Sequence, residues 1–143
     1  MEIILAENHG FCYGVKRAVE MADEAANSDG KSYTLGPIIH NPQVVGRLES
    51  KGVSPIQEVA DIDEGTMIIR SHGVGPAIYA EAEEKGLHIL DATCPHVKKA
   101  QQDAKSVIED GMTLVILGEK NHPEVKSINL WANNKGIIIE DEE

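Results

Sequence analysis

Both cysteines and five of the six histidines fall where a strand is expected to turn into a helix. The turns read His9-Gly10-Phe11-Cys12-Tyr13-Gly14, His40-Asn41-Pro42, Ser71-His72-Gly73-Val74-Gly75-Pro76, Thr93-Cys94-Pro95-His96 and Asn121-His122-Pro123-Glu124. Only His88 opens a strand instead. A helix N-terminus favours thiolate over thiol, and thiolate is the form that binds metal, so Cys12 and Cys94 are candidate metal ligands. Imidazoles and helix N-termini are donors suited to phosphate oxygens, which makes His40, His72 and His122 a candidate anion site. Glu124, just behind Pro123, could carry protons into such a pocket, although a first-turn carboxylate at a helix start is also favourable for its own sake. Each residue alone has a plainer use. An isolated cysteine is most often a small buried hydrophobe, and a lone loop histidine is more often solvated or capping than a ligand. A Cys12–Cys94 disulfide is a competing use that depends on a Cα separation a sequence does not show.

Gly10 and Gly14 flank Cys12, and Gly73 and Gly75 follow His72, a spacing that fits close approach of backbone to a ligand as well as ordinary turns. Gly73-x-Gly75 lacks the third glycine of a dinucleotide fingerprint, and there is no Walker A loop, no Cys-x-x-Cys and no closely spaced zinc quartet. His9 and His96 read as surface residues. Lys16-Arg17 and Lys98-Lys99 read most simply as solvated helix faces.

The elements that must position these turns alternate. Residues 2–6, 33–39, 66–70, 87–91, 113–117 and 136–140 read as strands, and Ile68-Ile69 and Ile137-Ile138-Ile139 look like strands covered on both faces. Helical periodicity covers 14–27 and 96–110, with shorter helices at 42–50, 76–85 and 123–132. Pro42, Pro76 and Pro123 sit where a first helical turn tolerates proline, and Gly30, Gly86 and Gly111 are expected stops. The pattern predicts an α/β fold with a mostly parallel sheet, right-handed crossovers and flanking helices. Ligands in such sheets bind at the carboxyl ends of the strands, so the sulfur and imidazole groups are expected to converge on one rim. No helix follows the last strand. That leaves a six-stranded single domain with a polar tail, or a chain cut inside its second domain.

Composition sets the outer limits. Of 143 residues, 41% are hydrophobic and 26% charged, which suits a globular protein and not a disordered one. Acidic residues outnumber basic ones 24 to 13, for a net charge of -11, so no nucleic-acid or anionic-membrane surface is expected as the main function. An anionic ligand would need a local positive field. No signal peptide or membrane span is legible, and two cysteines make no disulfide framework, so the expectation is a soluble cytoplasmic protein with reduced thiols.

Five motifs together resemble a known family. Gly10-Phe11-Cys12-Tyr13-Gly14-Val15-Lys16-Arg17-Ala18-Val19, Leu35-Gly36-Pro37-Ile38-Ile39-His40-Asn41-Pro42, Ile69-Arg70-Ser71-His72-Gly73, Asp91-Ala92-Thr93-Cys94-Pro95 and His122-Pro123-Glu124-Val125 are similar, in order and spacing, to those of 4-hydroxy-3-methylbut-2-enyl diphosphate reductase. The resemblance implies an iron–sulfur enzyme of isoprenoid biosynthesis by the methylerythritol phosphate route, with three similar αβ domains around a 4Fe–4S cluster. It implies that Cys12 and Cys94 are two of three cluster thiolates, that His40, His72 and His122 surround the diphosphate of an allylic substrate, and that Glu124 relays protons. The reaction would remove the allylic hydroxyl with two electrons and two protons, giving isopentenyl and dimethylallyl diphosphates. An electron donor such as ferredoxin or flavodoxin would be usual. Family members are about twice this length, so the resemblance covers an N-terminal portion, one complete αβ domain over 1–95 and the start of a second over 96–143. It would be inactive alone, and its third cysteine would come from missing C-terminal domains or a second chain. Lys126-Ser127 stands where the family usually has glycine, a departure that bears on helix packing. Two other readings remain: a non-enzymatic iron–sulfur or metal-binding module with a cluster bridged between two chains, and a plain αβ domain with inert cysteines.

Overall fold

The computed structural model describes residues 2–7, 9–28 and 30–141. Its larger sheet has four parallel strands in the order β2-β1-β3-β4, formed by β1 (Ser32–Leu35), β2 (Val53–Ile56), β3 (Thr66–Ile69) and β4 (His88–Asp91). Helices α1 (Tyr13–Ala26), α2 (Pro42–Ser50) and α3 (Pro76–Glu84) accompany them, and α4 (Pro95–Glu109) and α5 (Pro123–Trp131) follow. A separate two-stranded parallel sheet joins β5 (Val115–Leu117) to β6 (Ile137–Ile139). No helix of the described residues is long and apolar enough to cross a membrane.

The period-two alternation of the central strand explains the two-faced core. Ile68 packs with Ala18, Ala22, Ile38 and Leu48 on the side of α1 and α2. Met67 and Ile69 pack with Leu35, Val59, Ala82 and Leu87 on the side of α3. All three strand residues are fully buried. On α1 the buried stripe is made of Gly14, Ala18, Val19, Ala22 and Ala25, small side chains that let the helix lie close on the sheet.

The expected helices form within a residue of their expected ends, because their punctuation is local. Proline occupies the first turn of α2, α3, α4 and α5. Gly86 and Gly111 end α3 and α4 with positive φ of 70° and 73° and accept the left-handed turn that side chains resist. Gly30 does not serve as a stop: α1 closes at Asn27.

Three strand expectations are corrected. Residues 2–6 form no strand; Ile3, Ile4 and Leu5 are 75%, 83% and 76% exposed. β-propensity expresses fit to a pleated, half-buried surface, and no described segment offers that segment a pairing partner. No strand of the described residues therefore leads into the loop carrying Cys12. Conversely, β2 lies where no strand was expected. Ser54-Pro55 dilutes its apolar pattern, and a proline is tolerated there because β2 is an edge strand. Finally, Ile137-Ile138-Ile139 is not covered on both faces: Val115, Leu117, Ile137 and Ile139 share an open face. Six strands in one sheet are thus not what forms; the last two make their own sheet, and α4 packs on α5.

Candidate active site

The cysteines come first in the chain. Cys12 is the N-cap of α1 and Cys94 the N-cap of α4, and neither side chain is used to cap its own helix. Both are free thiols, Cys12 exposed and Cys94 partly so. The two caps are locked together from the inside. A Cβ at Gly14 would collide with the Cys94 sulfur and lie 3.0 Å from its Cβ, so the bare glycine of α1 is the seat of the Cys94 side chain. Glycine here makes room for sulfur, a more specific task than the general approach to a ligand expected of it.

Arg17, one turn along α1, donates to the carbonyl oxygens of Thr93 at 3.2 Å and Asp91 at 3.4 Å. Asp91 in turn accepts from the Thr93 backbone N–H at 3.0 Å and from the Tyr79 hydroxyl at 3.1 Å, and pairs with Lys98. Burial alone would raise the Asp91 carboxyl, but hydrogen bonds from Lys98 and Thr93 outweigh it and hold the group below its ordinary value. Burial and the Asp91 charge push the Tyr79 hydroxyl up to about 12. Arg17 and Lys98 are therefore not idle solvated cations, which corrects the expectation for those two. Lys16 and Lys99 do behave that way, in exposed i,i+4 pairs with Glu20 and Asp103.

The histidines converge from three loops. His40 follows β1, His72 follows β3, and His122 is the N-cap of α5. Ring centroids lie 4.4 Å apart for His40 and His72, 5.8 Å for His40 and His122, and 5.7 Å for His72 and His122. One ring nitrogen from each lies within 4.8 Å of the others. Ser71 stitches the first two loops, donating its backbone N–H and its hydroxyl to the Ile38 carbonyl at 3.3 and 3.2 Å. The Cys94 backbone N–H reaches the Ser71 carbonyl at 2.9 Å, so the sulfur loop and the imidazole loop share one anchor. His40, His72, Phe11, Val15 and Asn41 line a common cavity of about 200 Å³, which brings the residues flanking Cys12 beside two of the imidazoles.

His122 arrives from the second layer, and its placement depends on a polar contact inside the helix packing. The buried Ser127 hydroxyl donates to the His72 carbonyl at 2.9 Å and accepts from the buried Gln101 amide at 3.0 Å. A Cβ at Gly73 would strike Gln101, so this turn fits under α4 only without a side chain. The serine that departs from the family pattern is thus accommodated by two hydrogen bonds. Gln101 carried a legible signal, a polar residue on the apolar stripe between Val97 and Ala104, and Ser127 stood out as a departure from the family's glycine; Arg17 carried none.

Three clustered imidazoles suit either a metal ion or an anion, and His122 discriminates between them. Its Nδ1 accepts the Glu124 backbone N–H at 3.2 Å, so in the neutral ring Nε2 carries the proton and is a donor, as an anion requires. His72 is held neutral. Burial, then the positive potentials of His40, Arg70 and His122, lower it to about 4, and its Nδ1 is buried without a partner. Glu124 lies in the first turn of α5, beside His122 in sequence. The remaining histidines stay apart: His9 bonds the Ala6 carbonyl of its own loop at 2.8 Å, and His88 and His96 are exposed.

Comparison with known proteins bears on the family and the fold. A family model described as LytB protein matches residues 3–143. The 4-hydroxy-3-methylbut-2-enyl diphosphate reductase of Geotalea uraniireducens is 51% identical over 139 residues, 97% of this chain and 49% of that protein. The Geobacter metallireducens protein of the same name is 51% identical over 143 residues, 100% of this chain and 51% of its own. A solved (E)-4-hydroxy-3-methyl-but-2-enyl diphosphate reductase, described as the terminal enzyme of the non-mevalonate pathway, superposes with a TM-score of 0.84 at 49% identity, over 97% of this chain and 51% of that one. The Plasmodium falciparum reductase superposes with a TM-score of 0.90 at 32% identity, over 94% and 43%. The chain spans about half the length of the curated relatives it matches. By its motifs, its fold and this match along nearly its whole length, the chain belongs to the LytB family.

Proposed function

We propose that this chain is the N-terminal portion of a 4-hydroxy-3-methylbut-2-enyl diphosphate reductase, with a first αβ domain over 1–95 and part of a second over 96–143. The observation that carries the reading is the joining of two unlike sites: three imidazoles in one cluster, anchored through Ser71 to a loop whose cysteine sits on the helix that begins at the other cysteine. Free thiols at two helix N-termini fit two of the thiolate ligands of a 4Fe–4S cluster. Such a cluster, when bound, supplies electrons and Lewis acidity. The overall change replaces a C–O bond by a C–H bond, consumes two electrons and two protons, and releases water, leaving isopentenyl and dimethylallyl diphosphates.

The chain's own residues act around that chemistry. His122 offers an Nε2–H to a diphosphate oxygen, and His40 completes the donor set. His72 enters neutral and takes up a proton once an anion offsets its cost of charging. Glu124, in the first turn of α5 beside His122 in sequence, is assigned the delivery of a proton to the departing hydroxyl. With only two cysteines in 143 residues, a third ligand must come from a C-terminal portion or a second chain. Ferredoxin or flavodoxin fits the need for a one-electron donor.

The test is anaerobic reconstitution of this chain alone and together with a C-terminal portion carrying a third cysteine. Turnover is expected only for the pair. In the complete enzyme, Cys12→Ser should lose iron, His40→Ala and His122→Ala should raise KM with iron content unchanged, and Glu124→Gln should retain cluster and substrate but slow kcat. Robust turnover by the 143-residue chain alone refutes the reading. So does a four-cysteine cluster that appears only in a dimer and ignores the diphosphate, which would make the chain a cluster-binding module.

A further inference from the structure

Arg70 and Gly73, from the turn that carries His72, line a second cavity of about 290 Å³, which shares no lining residue with the histidine cavity. Its charged lining is Arg70 and Lys126, with no aspartate or glutamate, on a chain whose net charge is -11. Among the described residues neither cation pairs with a carboxylate. Arg70 is the more telling of the two. It is only partly exposed, its Nε is buried without a hydrogen-bond partner, and its Nη1 lies 2.6 Å from where a Cβ at Gly36 would be. A guanidinium set against bare backbone and left without a counter-charge is costly, and an anion relieves that cost. The N-terminus of the nine-residue α3 opens on the same cavity, with no side chain capping it at Gly75. The other wall is apolar, made by Leu35, Ile78 and Leu130.

We propose that this cavity is a binding site for a short-chain alkyl or alkenyl phosphate, its headgroup on Arg70 and Lys126 and its hydrocarbon on Leu35, Ile78 and Leu130. Two cations and an uncapped helix start match a phosphate dianion better than a carboxylate, since one guanidinium already neutralises a carboxylate. The volume stands at the lower end of the roughly 300–1,000 Å³ range of small-molecule pockets, which suits a headgroup with a tail of a few carbons. None of the three histidines lines this cavity.

Titration of the isotope-labelled chain with isopentyl phosphate, inorganic phosphate and isovalerate, followed by amide NMR shifts, tests it. Isopentyl phosphate is expected to shift Gly36, Gly73, Gly75 and Lys126 and to bind at least several-fold more tightly than either other probe. Lys126→Glu, a change at an exposed position that leaves the core intact, should weaken it about tenfold, and Arg70→Gln further. Shifts confined to His40, His72 and His122, or an affinity that Lys126→Glu does not change, would overturn the site. Isovalerate binding as tightly as isopentyl phosphate would overturn the phosphate assignment, and inorganic phosphate binding as tightly would overturn the role of the apolar wall.

Discussion

Acidification should selectively destabilise this protein through one ring, His72. In the unfolded chain that imidazole takes up its proton near 6.5; in the folded chain burial, reinforced by the electrostatic influence of His40, Arg70 and His122, delays uptake to about 4. Between those values the unfolded state holds more protons, so stability falls as the pH falls through this window and is fully retained above it. At about 1.4 kcal/mol per pH unit the gap sets a ceiling of about 3 kcal/mol, and because the ring is partly open to solvent, screening leaves about 1–2 kcal/mol. Urea unfolding of the native chain and of His72→Gln at a series of pH values isolates the effect, since the other titrating groups are common to both. The native protein should lose about 1–2 kcal/mol more than the variant on going from neutral pH to the acid side of this window. A difference that stays flat with pH refutes the reasoning, as does an NMR midpoint for the His72 ring near 6.5. Saturating pyrophosphate should raise that midpoint, because an anion lowers the cost of charging the ring.

Three further outcomes follow from contacts around the site. Gly14→Ala puts a methyl group where the Cys94 sulfur sits; thermal unfolding should show a loss of about 1–3 kcal/mol, the usual cost of overpacking, partly offset by alanine's better helix propensity. Ser127→Ala removes the bond to the His72 carbonyl and leaves the buried Gln101 amide unpaired, for a loss of about 1–3 kcal/mol by denaturant titration. Asp91→Asn removes a negative charge from beside Tyr79, so the spectroscopic titration of that phenol should move down from about 12 while burial keeps it above its ordinary value.

The corrections to the sequence reading share a cause. Helix ends were legible because their signals are covalent neighbours: proline at the start of α5, glycine after α3. Strand pairing is not local, so the apolar run Ile3-Ile4-Leu5 read as a strand without a partner, whereas Val53-Ser54-Pro55-Ile56 became one because β1 lies beside it. Arg17 and Lys98 looked like two of many surface cations until Asp91 and the carbonyls of its loop were brought next to them.

Residue chemistry and spacing by themselves determined that this chain alternates strands with helices, that its sulfur and imidazole groups lie in the turns between them, and that those turns resemble one family. They also indicated convergence on the rim of a single sheet, and here only the folded arrangement decided the matter. His40 and His72 do lie in loops that follow strands of one sheet, but His122 belongs to a second layer and reaches them because Gln101 and Ser127 hold α4 and α5 against the His72 turn. Contacts between elements far apart in the chain depend on which faces meet and at what angle, and that information resides in packing, not in any one segment.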